Sequence, residues 1–327
     1  LEPHRSTFFS LRVLRLLALS FLALGQLAAE DASAPHQIPR VEAQVVVDGV
    51  LNEVVWGEAW TMTLDSEVRP GENTPAPIKT EVLVMHDANR LYVGFRAYDP
   101  EPGSIRAHLS DRDQLWGDDF VGVAFDTFND ERRNYLFIVN PLGVQTDLIE
   151  LEANAASPWD GIWSSAAVVN DSGWSAEFEI PFSTLRFQRS AGPQVWGFDA
   201  IRGYPRNVDH RMGAFPRDRS TNCYLCQAIK IEGFAGVSPG RNLEIVPTLT
   251  ASRTDEREDF PDGPMIEGDP DVEVGLTARW GVTPNLTLSG TINPDYSQVE
   301  ADALQLTVNR PFAIFFPELR PFFMEGA

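Results

Sequence analysis

Alternation of apolar and polar side chains with a period of two is the feature that most constrains the fold of this chain. In the segment 174–180 the two kinds of residue fall on opposite faces of an extended strand: Trp174, Ala176, Phe178 and Ile180 against Ser175, Glu177 and Glu179. Helical periodicity is nearly absent, and only Leu51–Ala59 and Phe182–Leu185 have a pattern that suits one or two helical turns. We therefore predict an all-β chain.

Roughly ten short segments of this kind lie between residues 38 and 232. The predicted strands are Val41–Val47, Lys79–His86, Arg90–Tyr98, Phe120–Asp126, Asn134–Asn140, Gly143–Ile149, Ser164–Asn170, Trp174–Pro181, Val195–Arg202 and Gln227–Ile231. Turn sequences such as Asn-Asp-Ser-Gly at 170–173 separate them. Short strands at this spacing are typical of a β-sandwich, and we predict that residues 38–232 form one.

The pattern changes after a Gly- and Pro-containing linker at residues 233–242. Three longer alternating segments then begin at Leu243, Val272 and Leu286, each with one apolar face and one polar face. Strands of about ten residues with this alternation are typical of an outer-membrane β-barrel. We predict that residues 243–327 are the N-terminal part of such a barrel, with a second soluble sandwich as the alternative. Since barrels need about eight strands to close, we expect the barrel to continue beyond Ala327.

The N-terminus has the pattern of a secretory signal peptide. Arg5, Arg12 and Arg15 precede the apolar run Leu16–Leu24, and small residues follow at Ala28 and Ala29. Residues 1–29 are therefore predicted to be a signal peptide. We expect export to the outer membrane, with the sandwich in the periplasm or at the cell surface.

The net charge of −21 makes nucleic acid an unsuitable partner, because an acidic surface repels phosphates. The only cysteines are Cys223 and Cys226, and two thiols alone do not supply the four ligands of a zinc site. In an oxidising compartment we expect them to form a small loop-closing disulfide.

Three tryptophans, Trp116, Trp159 and Trp163, lie in turn-rich segments. An indole on a loop offers a flat apolar face to a pyranose ring, while Arg112 and Asp118 could bind the hydroxyl groups. We take these five residues as the candidate carbohydrate site. The alternative is that the indoles fill the ends of the sandwich core, the role predicted for Trp56, Trp60, Trp174 and Trp196.

A turn at residues 126–130 brings together the oxygen-bearing side chains of Asp126, Asn129 and Asp130. Calcium accepts carboxylate and amide oxygens from irregular loops. The turn is therefore a candidate calcium site, although acidic turns without a metal are common.

Glycoside hydrolysis requires a pair of carboxylates, and Glu177 and Glu179 lie on one face of a predicted strand, roughly 7 Å apart. That separation is compatible with an inverting pair. Because alternating glutamates usually lie on a solvated strand face, we expect no catalytic residue here.

Four segments, in order, resemble the signatures of family 9 carbohydrate-binding modules: Val47–Trp56, His86–Phe95, Trp116–Phe120 and Gly173–Phe182. The resemblance covers about residues 38–232. It implies a β-sandwich that binds sugar by aromatic stacking, often with structural calcium. Segments Asn293–Asp302 and Phe315–Gly326 resemble an uncharacterised family of bacterial outer-membrane proteins, in which such a domain precedes a C-terminal barrel.

These observations predict non-catalytic binding of a polysaccharide or oligosaccharide by a secreted sandwich attached to an outer-membrane barrel, in polysaccharide capture or uptake. Two alternatives stay open. One is a hydrolase that acts on O-glycosyl bonds in carbohydrate catabolism, and the other is a structural or assembly domain without a sugar ligand.

Overall fold

The structure, a computed structural model, describes residues 34–42, 45–151, 155–240, 243–258, 263–283 and 286–293. The prediction of an all-β chain is confirmed, since the described helices are the short 3-10 helices Val54–Glu58, Pro102–Ser104 and Leu225–Gln227. Among the described residues, none of these helices has the length or apolarity to cross a membrane. The predicted signal peptide at 1–29 lies outside the described residues.

The larger sheet of the sandwich has ten strands. Its central path runs β10-β9-β8-β7-β13-β14-β3-β4, while β15 pairs with β13 and with β1. The strands are β1 (His36–Gln37), β3 (Ser66–Arg69), β4 (Thr74–Pro75), β7 (Phe120–Asp126), β8 (Arg133–Val139), β9 (Gln145–Leu151), β10 (Ala155–Pro158), β13 (Gln194–Pro205), β14 (Asp209–Gly213) and β15 (Ile229–Gly233).

The smaller sheet has five strands in the order β11-β12-β6-β5-β2. They are β2 (Trp60–Thr63), β5 (Thr80–His86), β6 (Arg90–Tyr98), β11 (Ser164–Asn170) and β12 (Gly173–Pro181). All neighbouring pairs are antiparallel, and tight turns connect β5 to β6 and β11 to β12.

The main core lies between these two sheets, where alternate residues of each strand point inward. Phe125 and Phe137 come from the larger sheet and Phe178 from the smaller one, and all three are fully buried. Trp174 and Trp196 are buried in the same cluster and Trp60 packs against it, as predicted. The β-sandwich prediction is confirmed by this arrangement.

The strand predicted at Val41–Val47 is wrong. The described residues of this segment form no strand, and the only ladder contact beside it is an isolated bridge between Arg40 and His86. Val41 and Val45 are buried against the outer face of the smaller sheet, together with Trp56 of the first 3-10 helix. The apolar residues therefore cover a sheet instead of joining its edge.

The other predicted strands are confirmed, three of them with the predicted bounds (β6, β7 and β11). The strand predicted at Gly143–Ile149 begins two residues later, at Gln145. The reason is that the Asn140 side chain accepts hydrogen bonds from the N–H groups of Leu142 and Val144, which holds a turn there. Strand β14 was not predicted from the sequence, and its residue Arg211 lines the candidate groove.

A third sheet follows the sandwich, with strands β16 (Leu243–Ser252), β19 (Asp271–Thr283) and β20 (Leu286–Ile292) in that order, and a short hairpin of β17 (Glu256–Arg257) and β18 (Met265–Ile266). Register places Leu249 opposite Val274, and Trp280 opposite both Leu243 and Leu288. These side chains share one face and are exposed, Leu249 by 74%. The remainder of the segment, residues 294–327, lies outside the described residues.

Candidate ligand groove

A groove of about 600 Å³ lies over the outer face of the larger sheet. Its floor is an apolar patch of outward-facing side chains: Phe120 from β7, Leu136 and Ile138 from β8, Leu148 from β9 and Ile201 from β13. An apolar floor on the solvent side of a sheet is unusual, because that face is normally polar. The patch therefore marks a surface where a ligand can exclude water.

Trp116 stands at one side of this groove with 55% of its surface exposed. Its ring meets the ring of Phe120 edge to face, with centroids 6.3 Å apart. The loop is held on both sides of the indole, because Leu115 is fully buried and the Asp118 carboxylate accepts hydrogen bonds from His108 N–H and Asn140 Nδ2. Anchors on either side leave the indole itself facing solvent.

Arg211 of β14 also lines the groove. Register places Phe120, Gly203 and Arg211 side by side on three neighbouring strands. A Cβ at Gly203 would lie 2.2 Å from the Phe120 ring, so only glycine lets that ring lie across β13. The Arg211 guanidinium lies 5.4 Å from the centroid of the same ring.

The segment 214–228 supplies the wall beside Arg211. Cys223 and Cys226, for which a disulfide is predicted, are joined by one within it. Gln227 fastens the two ends of the turn, since it accepts a hydrogen bond from Asp218 N–H and donates to the Asp218 carbonyl. The wall is thereby preformed.

Tyr224 anchors the wall to the sheet. Its hydroxyl donates to the buried carboxylate of Asp199, and the Arg217 guanidinium lies 3.1 Å from the same carboxylate. Burial raises the pKa of Tyr224 well above its usual value, with the charge of Asp199 as a further cause. The neutral phenol is therefore fixed as a donor to Asp199.

Two carboxylates also line the groove. Burial raises the pKa of Glu150, whose carboxylate accepts a hydrogen bond from Asn134 Nδ2. Hydrogen bonds from Ser220 and Thr221 lower the pKa of Asp218. Together with Asn222 and Gln227, these groups give an apolar floor a polar rim, which is the composition that binds a polyhydroxylated ring.

Of the five predicted sugar-binding residues, only Trp116 lines the groove. Trp163 is 7% exposed and packs between Phe137 and Phe178, so the structure assigns it to the core. Trp159 is partly buried against Tyr135 and Phe137. For these two indoles the core alternative describes the structure.

Arg112 and Asp118 are structural anchors instead of ligand contacts. Arg112 donates to the buried carboxylate of Asp147, and also to the Gln145 side chain and the Gly161 carbonyl. Asp118 is 5% exposed and holds the Trp116 loop. Proximity in sequence to Trp116 does not bring either side chain into the groove, because internal hydrogen bonds hold both of them.

The proposed calcium turn does not fit a metal ion. Asp126 is 2% exposed, and its carboxylate accepts the N–H groups of Phe128 and Glu131. The Asn129 side-chain oxygen accepts a hydrogen bond from the Lys230 ammonium, and the Asp130 carboxylate accepts Arg132 N–H. A lysine cation and backbone donors thus occupy the oxygens that a calcium ion would need.

The one cluster of at least three His, Cys, Asp or Glu ligands within the described ranges is Glu131 with Cys223 and Cys226. Its two sulfurs form the disulfide and are not thiolates. This cluster therefore does not have the chemistry of a metal site.

Glu177 is not on a solvated strand face, contrary to the expectation. It is fully buried, one carboxylate oxygen accepting the N–H groups of Asp48 and Gly49 and the other accepting the indole N–H of Trp56. Burial raises its pKa to about 7. Glu179 lies 3.4 Å from the Arg90 guanidinium. Both oxygens of Glu177 are thus held by internal hydrogen bonds, away from solvent.

Two family models match parts of the chain. Residues 47–209 match the family model described as carbohydrate family 9 binding domain-like. The sandwich is similar to this family over these residues, and we refer to it as the family 9-like domain. Residues 243–327 match a second model, described as a domain of unknown function (DUF5916). A comparison with curated proteins finds no match.

Solved structures similar to the chain include a family 9 carbohydrate-binding module from Caldicellulosiruptor kristjanssonii in complex with cellotriose. It has 16% identity and a TM-score of 0.44, over 61% of this chain and 92% of that one. The same organism's module in complex with glucose has 14% identity and a TM-score of 0.42, over 61% and 94%. A protein from Bacteroides uniformis described as carbohydrate-binding has 15% identity and a TM-score of 0.49, over 61% and 98%.

Proposed function

We propose that the family 9-like domain binds carbohydrate in the groove without cleaving it. The observation that carries this proposal is the exposed Trp116 indole beside an apolar floor and a polar rim. An indole stacks on the C–H face of a sugar ring, while Asn222, Gln227 and the charged side chains of the rim bind hydroxyl groups. The match to the family 9-like model supports the same class of ligand.

Isothermal titration of the full chain against a panel of neutral and charged oligosaccharides tests this proposal. The exposed apolar face of the three-stranded sheet calls for a detergent. A polyoxyethylene detergent is used, because it has no sugar headgroup that competes for the groove. We expect saturable binding that is lost in Trp116→Ala and kept in Leu109→Ala, which removes an exposed apolar side chain outside the groove lining. Silence across the panel would contradict carbohydrate binding and favour an assembly role.

A hydrolase is the second candidate because the groove holds two carboxylates whose pKa values move in opposite directions, Glu150 upward and Asp218 downward. Glycosidases divide acid and base roles between carboxylates in this way. Release of reducing ends from a bound oligosaccharide, abolished in Glu150→Gln, would establish hydrolysis and contradict non-catalytic binding.

We further propose that the three-stranded sheet faces lipid of the outer membrane as part of a β-barrel, so that the domain captures polysaccharide at the envelope or assists its uptake. Its exposed apolar face supports this proposal, since water is a poor solvent for Leu249 and Val274. On the opposite face, Thr277 and Thr291 are hydrogen-bonded to each other and Arg279 pairs with Glu244.

Fractionation of Gram-negative cells that express the protein from its complete open reading frame tests the membrane proposal. We expect the protein in the outer-membrane fraction, resistant to alkaline carbonate. Leu249→Lys places a charge on the apolar face and reduces membrane recovery, whereas the neighbouring Thr248→Lys, on the polar face, leaves it unchanged. Recovery of the wild-type chain in the aqueous fraction would contradict the proposal.

A further inference from the structure

The charges of the groove differ in sign from those of the chain as a whole. The chain carries a net charge of −21, yet three of the side chains that line the groove are arginines: Arg211, Arg217 and Arg219. Two of them are already paired. Arg217 lies 3.1 Å from the Asp199 carboxylate, and Arg219 lies 3.1 Å from Glu72 and donates to two backbone carbonyls.

Arg211 is the exception. Within the described part of the chain its guanidinium makes no ion pair and no hydrogen bond, and its Nε is buried. The guanidinium lies 5.4 Å from the centroid of the Phe120 ring, on the groove floor. Burial is the largest cause that lowers the pKa of Arg211, and the positive charges of Arg69 and Arg217 act in the same direction. An anion bound in the groove would offset both the desolvation of the guanidinium and the repulsion from Arg69 and Arg217.

The charges of Asp209 and Glu150 raise the pKa of Arg211, but within the described residues no carboxylate forms an ion pair with it. Glu150 binds Asn134 and lies beyond ion-pair distance of Arg211, and Asp218 binds Ser220 and Thr221. The nearest strand carboxylate, Asp209, pairs with Arg69 at 3.5 Å. The guanidinium thus presents its planar set of donors to the groove, where Phe120 fixes the plane.

We propose that the groove selects an acidic sugar, a uronate, whose ring stacks on Trp116 and whose carboxylate binds Arg211. This inference rests on the proposed function and specifies its ligand class. Guanidinium and carboxylate are both planar and form two parallel hydrogen bonds, which makes arginine selective for a carboxylate over a hydroxymethyl group. The polar rim of amides and hydroxyls then binds the ring hydroxyl groups that neutral and acidic sugars share.

Isothermal titration with pairs of oligosaccharides that differ only at C6 tests the inference. Each pair has one stereochemistry (gluco, galacto or manno) and carries either a hydroxymethyl group or a carboxylate. With the full chain in polyoxyethylene detergent, we expect the acid of at least one pair to bind about tenfold or more tightly than its neutral partner.

Substitutions at Arg211 test whether this residue causes the preference for the acid. Arg211→Gln removes the preference, because it lowers the affinity for the acid about tenfold or more beyond any effect on the neutral partner, and only the acid loses a charged partner. Arg211→Lys keeps the positive charge and therefore part of the preference. This variant distinguishes an effect of the lost charge in Arg211→Gln from an effect of misfolding. Arg90→Gln, on the smaller sheet, is the matched control and leaves the preference unchanged.

Three outcomes would overturn the inference, and they are distinguishable. Equal affinity for acid and neutral partner removes the acidic selectivity and leaves carbohydrate binding intact. A preference that survives in Arg211→Gln removes the assignment to Arg211. Absence of binding to every oligosaccharide removes the proposed function together with the inference.

Discussion

The indole N–H of Trp56 donates a 3.0 Å hydrogen bond to the fully buried carboxylate of Glu177. The second oxygen of that carboxylate accepts Asp48 N–H and Gly49 N–H, so Glu177 joins the turn at 48–49 and the first 3-10 helix to β12. Gly49 adopts a φ of +86° and packs against the backbone of Ala167. One buried carboxylate therefore fastens the N-terminal segment over the smaller sheet.

Burial raises the pKa of Glu177 from 4.5 to about 7, and this makes folding stability depend on pH. Between these two values the folded protein holds a proton that the unfolded chain has released. The contribution of Glu177 therefore falls as the pH rises through this window, by on the order of 3 kcal/mol in total. Asp147, whose pKa burial raises to about 6, acts with the same sign.

Urea unfolding at about pH 5 and about pH 7.5 measures this effect. We expect wild type to lose stability between the two pH values. Glu177→Gln should lose clearly less, since of the carboxyl groups Glu177 and Asp147 only Asp147 still titrates in this variant. Glu179→Gln is the control, because that carboxylate pairs with Arg90 outside the buried network. An identical pH dependence in wild type and Glu177→Gln would contradict the assignment.

Trp116 and Trp163 are expected to respond oppositely to truncation. Trp163→Ala removes a ring packed between Phe137 and Phe178, and costs about 3–5 kcal/mol of unfolding free energy. Trp116→Ala costs less than about 1 kcal/mol, because the indole is 55% exposed, but weakens oligosaccharide binding by about tenfold or more. Thermal unfolding and calorimetric titration of both variants check this, and a stability loss confined to Trp116→Ala would refute it.

Gly203 is expected to tolerate no side chain. In Gly203→Ala the new Cβ would meet the Phe120 ring at 2.2 Å, so the ring must leave the row that it shares with Arg211. We expect a loss of about 1–3 kcal/mol and weaker ligand binding. Gly103→Ala is the matched control, since nothing lies within 4 Å of its added Cβ. Equal stability of the two variants would show that Phe120 can move freely.

The disulfide between Cys223 and Cys226 is expected to matter more for the groove than for the fold. The cysteines are three residues apart, so in the chain-entropy model the bond contributes only about 2 kcal/mol. The double variant Cys223→Ser/Cys226→Ser leaves the wall around Tyr224 less constrained, and we expect several-fold weaker oligosaccharide binding with the fold retained. Titration of the variant and of the reduced wild type measures this, and an unchanged affinity in both would contradict it.

Much of the strand pattern could be predicted from the sequence, because alternation of side chains is a local property. Trp174 to Ile180 determine which face of β12 is buried without reference to any other strand. The prediction of a strand at Val41–Val47 was wrong because an apolar segment that covers a sheet and a strand that joins it have the same composition. Pairing at an edge depends on a partner that lies elsewhere in the chain.

The candidate site was only partly predictable. Trp116 could be predicted because an indole in a turn is a local signal. The same signal occurs at Trp159 and Trp163. Only their packing in the core, against Tyr135, Phe137 and Phe178, distinguishes these two indoles from Trp116. Arg211 was missed because β14 is short and its pattern weak.

The sequence by itself determined the all-β class and most strand positions, since each follows from neighbouring residues. Tertiary structure alone decided what the polar and aromatic side chains do. It buried Glu177 under the turn at 48–49, placed Lys230 in the acidic turn at 126–130, and set Arg211 across Gly203 from Phe120. Solvent exposure and charge pairing depend on residues distant in the chain, and so they are fixed only when the sheets come together.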